Sequence, residues 1–194
     1  MRLLLCLAFI LLVYTPNLGM EKVNKATFAG GCFWCMEHPF DSLEGVLSVT
    51  VGYSGGETVN PTYKEVSMGI TGHTESVQII FDPALITYDQ LLTVFWQSMD
   101  PTDPGGQFND RGTQYRSAIF YHDASQKEQS ISSKVKLNKS GTFKVPIVTE
   151  ISPFETFYKA EEYHQKYYKK NPIRYKLFRY HSGRDAFLKR TWNK

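Results

Sequence analysis

Cysteine is scarce, three in 194 residues, and that scarcity excludes several readings. A small scaffold stapled by disulfides needs more of it. A closed zinc site of the usual kind needs a second C-x-x-C or an H-x-x-x-H pair, and the sequence has neither. No phosphate-binding glycine fingerprint follows a strand-like segment, which removes the usual dinucleotide site. Internal repeats and low-complexity tracts are also missing. The apolar and charged fractions, 42% and 21%, are those of a chain that buries a core. The net charge is only +3. Most of the basic excess lies after Phe157, in residues such as Lys166, Lys169, Lys170, Arg174, Arg179, Arg184 and Arg190. It reads as a solvated face, and no nucleic-acid partner is expected.

Long apolar runs are lacking too, with one exception. Leu3 to Tyr14 follows a short basic start and is ended by Thr15-Pro16-Asn17. It is too short to span a bilayer comfortably. Residues 1–19 read as an export signal, cleaved or kept as an N-terminal anchor, so the protein is expected to be periplasmic, secreted or membrane-anchored. Residues 20–194 then form one domain, and a monomer is expected. Removing the leader also removes Cys6, which leaves Cys32 and Cys35.

What remains is organised around Gly30-Gly31-Cys32-Phe33-Trp34-Cys35-Met36-Glu37. Two glycines permit a tight turn. A cysteine between that turn and a helix start meets free N–H groups and a helix dipole, both of which favour a thiolate. Pro39 fits only a first helical turn, which draws the expected helix start toward Cys35 and Met36. A C-x-x-C pair by itself supports redox chemistry or metal binding about equally. Without further ligand pairs the redox reading moves ahead, with Cys32 the nucleophile and Cys35 its partner. A bridge over so short a loop restrains the unfolded chain little, so it makes a poor staple. In an oxidising compartment such a pair is better explained by redox cycling.

Val23–Ala29 reads as a strand, and Leu47, Val49, Val51 and Tyr53 alternate as a half-buried second one. Tyr63–Met68 suggests a short helix. In His73–Phe81 the odd positions His73, Glu75, Val77, Ile79 and Phe81 share one side, which sends Glu75 toward the apolar face. A carboxyl there loses hydration and keeps its proton near neutral pH. The pattern equally allows a strand-end Glu that turns sideways to solvent or pairs with an arginine. Thr87-Tyr88-Asp89-Gln90 is a capping box before a helix carrying Leu91, Leu92, Phe95, Trp96 and Met99. The Asp-, Pro- and Gly-rich stretch from Asp100 to Gln114 is a long, potentially functional loop. Arg116–His122 and Val145–Ile151 read as strands, the residues from Asp123 or Ser125 to Gly141 as a weakly amphipathic helix, and Ala160–Lys170 as a last regular helix. The aromatic tail beyond Pro172 is expected to pack on the body. The fold class is α+β, a two-layer sandwich of one mixed sheet with packed helices, of the ferredoxin-like type, with the C-terminal tail wrapped on it.

Several motifs then fall in a recognisable order. They are Gly31-Cys32-Phe33-Trp34, Gly52-Tyr53-Ser54-Gly55-Gly56 with Asn60-Pro61-Thr62-Tyr63, Thr71-Gly72-His73-Thr74-Glu75, Asn109 through Ser117, and Ala160-Glu161-Glu162-Tyr163-His164-Gln165. From about Ala26 to Lys170 the chain resembles the A-type methionine sulfoxide reductases, which act on the S epimer of the sulfoxide. The resemblance makes Cys32 the nucleophile, and Phe33 and Trp34 the aromatics that hold the substrate's methyl group. It makes Glu75 the acid beside the sulfoxide oxygen, Tyr63 and Tyr115 the phenols at the reacting centre, and Asp110 a polar member of the pocket. It implies oxidised proteins or peptides as substrates, a thioredoxin-like reductant, no cofactor and no metal. No cysteine follows Cys35, so Cys35 is the resolving thiol the resemblance requires. The chain departs from the family pattern at Cys35, where many relatives have glycine, and at Phe108, where a glycine is frequent. A general dithiol–disulfide oxidoreductase and a zinc- or partner-binding domain are the competing readings. The first of these leaves Glu75 and both tyrosines idle.

Overall fold

The structure is a computed structural model that describes residues 24–192. The expected leader, residues 1–19, lies outside the described residues, as does Val23 at the head of the first expected strand.

The chain runs β1 (Asn24–Gly30), α1 (Phe33–Asp41), β2 (Val46–Ser54), α2 (Tyr63–Ser67), β3 (Thr74–Phe81), α3 (Tyr88–Trp96), β4 (Gly106–Gln107) and β5 (Asp110–Arg111). A 3-10 turn at Thr113–Tyr115 leads into β6 (Ser117–Tyr121), α4 (Ala124–Lys139), β7 (Glu150–Pro153), β8 (Phe157–Lys159), α5 (Tyr167–Lys170), α6 (Pro172–His181) and α7 (Arg184–Trp192). The main sheet has the order β7-β6-β1-β3-β2-β8. Its pairings are antiparallel except for the parallel edge pair β6–β7, which makes it a mixed sheet.

The period-two positions of the central strands supply the core. Ala26, Phe28, Val51, Tyr53, Val77, Ile79 and Ile119 form one buried cluster with side chains of α1 and α3. Phe28 sits at its centre, its ring 5.7 Å from Phe40 of α1 and 4.9 Å from Phe95 of α3. Burying one such ring stabilises the fold by about 1.5–3 kcal/mol. The capping box at Thr87 forms as expected: its hydroxyl accepts from Gln90 N at 3.2 Å and its own N–H donates to Gln90 Oε1 at 2.8 Å. Leu47 leaves the predicted alternation and is exposed, because the pairing with β3 slips between Val46 and Ser48. The bulge turns one residue out of phase.

The sheet is strongly curled, and the connectivity requires it. β7 and β8 occupy opposite edges, yet only Phe154, Glu155 and Thr156 join them. Laid flat, those edges would stand roughly 24 Å apart at about 4.8 Å per strand. Four Cα steps reach at most about 14 Å. The edges therefore bend toward each other, so that a Cβ on Gly55 would lie 2.7 Å from the Phe120 ring. The bend leaves a polar groove of about 640 Å³ between them.

Several expected elements are corrected. The first helix starts at Phe33 with Cys32 as N-cap, so Pro39 lies inside it. Proline has no N–H to donate to the carbonyl of Cys35, and Arg179 Nη1 donates to that carbonyl instead, at 3.3 Å. Residues 160–170 are not one helix. They form turns broken at Lys166, whose φ is +52°, and only α5 is helical. The last expected strand lies later, at Glu150–Pro153, and β8 follows it as an edge strand. The residues beyond Pro172 are two helices. Phe178 and Trp192 pack against the main core, and Arg184 is fully buried.

Candidate active site

The turn at Gly31 delivers Cys32 to the head of α1. Gly31 has φ +87°, and a Cβ there would come within 2.5 Å of Gln107 Cβ, so only glycine fits. Cys32 caps the helix, and the free N–H of Phe33 in the first turn donates to Glu75 Oε2 at 2.9 Å. That contact decides between the two readings of Glu75. Its residue is 1% exposed, on the same side of β3 as Val77 and Ile79, with the carboxyl held at the helix head beside Cys32.

Burial pushes the Glu75 carboxyl up to about 8, and the negative charge of Asp110 and Cys35 adds to it against the Phe33 N–H and the Cys32 thiol. The acid is therefore protonated at neutral pH. Burial also raises the Cys32 thiol, which donates to Cys35 and feels Glu75. The helix-dipole expectation for Cys32 is thus overturned in the free protein, because desolvation outweighs it. The lowered thiol is Cys35, brought to about 7 by the hydrogen bond from Cys32 and then by Arg184 and Arg179. In the free protein the proton is therefore held by Cys32 and lost more readily from Cys35.

Tyr63, Tyr115 and Asp110 gather around this pair. Burial first, then the charges of Glu75, Cys32 and Asp110, push Tyr63 up to about 12 and Tyr115 well above the usual phenol range. Both therefore remain O–H donors across the working pH range. Asp110, half-buried on β5, is itself raised by burial against the pull of Arg184. Phe33 and Trp34 take different positions. Phe33 is 1% exposed, stacked against Tyr63 and near His164. The Trp34 ring is part-exposed and lies flat on Tyr167, centroids 3.7 Å apart and 5° from parallel.

The sequence reading assigned no role to several residues that hold this site together. His164 accepts from the Trp34 indole N–H through Nδ1 at 3.1 Å, and because the indole only donates, the ring proton sits on Nε2. Burial lowers His164 to about 4, so it is neutral. Glu161 accepts from the Tyr63 N–H at 2.9 Å and the Tyr53 hydroxyl at 2.8 Å. Both lie in the Ala160–Gln165 motif, which was the available signal. Arg184 was read as a solvated cation. It is buried instead, donating to Ser98 O at 2.5 Å and Gly30 O at 3.1 Å, with its guanidinium 4.8 Å from the Phe108 ring centroid. Phe108, a departure from the pattern the resemblance implies, takes a left-handed backbone at φ +57°. Among the described residues no group of three or more His, Cys, Asp or Glu is placed to hold a metal ion.

A thiol, a protonated carboxyl and two phenols around one point suit attack on an atom whose oxygen must be protonated to leave. The family model described as peptide methionine sulfoxide reductase matches residues 24–194. The chain belongs to this family. Membership makes it an enzyme, a reductase of peptide methionine sulfoxide. A Listeria monocytogenes relative named peptide methionine sulfoxide reductase MsrA is 58% identical over 172 residues, 89% of this chain and 97% of its own length. Among solved structures, reduced Mxr1 from Saccharomyces cerevisiae has a TM-score of 0.73 at 36% identity, over 78% of this chain and 87% of that one. Mxr1 in complex with Trx2 gives 0.54 at 28% identity, over 75% of this chain and 85% of that one.

Proposed function

We propose that this reductase takes the S epimer of methionine sulfoxide, in oxidised proteins and peptides and as the free amino acid, through attack by Cys32. The observation that carries the reading is the buried, protonated Glu75 held at the helix head by the Phe33 N–H. The Cys32 proton passes to the Cys35 thiolate as the Cys32 sulfur meets the substrate sulfur, whose oxygen meets Glu75. Glu75 gives its proton to that oxygen as the S–S contact forms, which is general-acid catalysis with a carboxyl tuned upward. The Tyr63 and Tyr115 hydroxyls stabilise the charge growing on oxygen. The oxygen passes to Cys32, giving methionine and a sulfenic acid. Cys35 then attacks the Cys32 sulfur, water leaves, and a Cys32–Cys35 disulfide remains. A thioredoxin-like dithiol returns both thiols, a role supported by the relative solved with Trx2.

Phe33 and the exposed part of Trp34 hold the methyl group in this account, and Asp110 sets the polarity of the mouth. The four strands β6-β1-β3-β2, with α1 and α3 as crossovers, are read as a ferredoxin-like core carrying the site at one end. Export by residues 1–19 and a monomeric state complete the proposal.

Assay of both sulfoxide epimers with dithiothreitol, followed by a free-thiol count, tests it. Cys32→Ser is expected to abolish methionine formation. Cys35→Ser is expected to form one equivalent of methionine and then stop when thioredoxin is the reductant. Equal multiple-turnover rates for Cys35→Ser and wild type with thioredoxin would contradict the resolving role.

A further inference from the structure

The two sulfurs of the pair have unlike surroundings. Cys35 is 0% exposed and lies under the C-terminal helices, packed with Tyr167 of α5 and Tyr175 of α6, with Trp34, Tyr168 and Phe178 closing round them. Cys32 is 6% exposed. Two guanidiniums from the tail stand on the Cys35 side. Arg179 Nη1 donates to the Cys35 carbonyl at 3.3 Å, while its Nε is fixed by Asp185 at 2.7 Å. Arg184, from α7, donates to Gly30 O at 3.1 Å and reaches Met36 Sδ at 3.8 Å.

We infer that the reducing protein attacks the sulfur of Cys32, and that Cys35 is the leaving thiolate, stabilised by Arg179 and Arg184 of the C-terminal helices. This rests on the Cys32–Cys35 disulfide of the proposed function. In the step, the thiolate of a C-x-x-C dithiol protein forms a bond to Cys32 Sγ. The Cys32–Cys35 bond breaks and its electron pair goes to Cys35 Sγ. The donor's second thiol then attacks the donor's own mixed-disulfide sulfur and releases Cys32. Two electrons pass from the dithiol to the enzyme, and the donor ends as its disulfide. Access and leaving ability point the same way. The attacked sulfur belongs to the less buried residue, and the departing one keeps the pull of Arg184 and Arg179 even when Cys32 has no proton to donate to it; a thiolate stabilised in this way leaves faster. The tail helices are thereby positioning elements of the recycling half-reaction.

Oxidised full-length enzyme, mixed with a thioredoxin whose second cysteine is serine, is quenched in acid, alkylated and mapped by fragmentation mass spectrometry. The expected adduct is on Cys32, with alkylated Cys35. An adduct on Cys35 overturns the inference alone. A prior free-thiol count separates the two ideas, because loss of two thiols per methionine formed establishes the disulfide, and failure to lose them overturns the proposed function and this step together. A second measurement reads Arg179 directly, since Arg184 is buried among carbonyl partners and its loss threatens the fold. In a Cys32→Ser background, the thiolate absorbance of Cys35 is expected to titrate at higher pH when Arg179→Gln is added and to move back with Arg179→Lys. In the otherwise wild-type enzyme, Arg179→Gln is expected to slow disulfide reduction by thioredoxin severalfold. Unchanged titration and unchanged reduction would overturn the role given to Arg179.

Discussion

Glu75 is a carboxyl whose environment favours its proton. Burial outweighs the stabilising N–H of Phe33 and carries the folded-state value from the ordinary 4.5 up to about 8. A group raised in this way contributes most to stability below the ordinary value, and that contribution is lost as pH rises through the folded one. The thermal midpoint of the wild type is therefore expected to fall relative to Glu75→Gln between about pH 4.5 and about pH 8. A difference that stays flat over that interval would mean that Glu75 is already ionised at neutral pH. A strand's period of two put Glu75 on the apolar face, but the inward turn of its carboxyl was open until the fold brought the Phe33 N–H to it. The protonation of Cys32 was not legible, because position at a helix head is local whereas desolvation depends on residues brought from elsewhere.

At the scale of elements, the Ala160–Lys170 stretch shows why a helical reading failed. Gln165 is turned inward and completes the hydrogen bonding of β2: its Oε1 accepts from Val51 N at 3.0 Å and its Nε2 donates to Val51 O at 2.9 Å. The next residue takes a left-handed backbone, and its N–H donates to the buried Glu37 at 2.9 Å. These bonds join positions more than a hundred residues apart, and no helix period within the segment reports them. Gln165→Leu would strand the Val51 N–H and the Ala160 carbonyl at about 1–3 kcal/mol each, while Val51 O keeps the Ala160 N–H. A melting temperature lowered by several degrees is the expected reading. A change of less than one degree would show that water or a shifted turn replaces the glutamine. The capping box at Thr87 and the Cys32 turn were legible for the opposite reason, since their partners lie within a few residues.

The whole molecule depends on its tail. α6 and α7 supply Phe178 and Trp192 to the main core and Arg184 to the backbone of Gly30 and Ser98, next to the turn that presents Cys32. Composition pointed to packing by the aromatics there but gave no sign that an arginine would be buried with them. Guanidinium burial depends on carbonyls that only the folded chain assembles. Truncation after Lys170 is expected to lower stability by several kcal/mol and to speed alkylation of Cys35, which Tyr175 now helps to bury. Retention of wild-type stability and of slow alkylation would show the tail to be an accessory. The curl of the sheet was likewise hidden from the sequence, because it follows from strand order and a three-residue link.

The most direct test of the account is the pH dependence of methionine formation in a single turnover, compared between wild type and Glu75→Gln. The wild-type rate is expected to rise as Cys35 loses its proton near pH 7 and can take that of Cys32, and to fall as Glu75 loses its own near pH 8. Glu75→Gln is expected to be about a hundredfold slower or more, with the falling limb gone. The same falling limb in both proteins, at comparable rates, would contradict the claim that a buried acid at Glu75 protonates the departing oxygen.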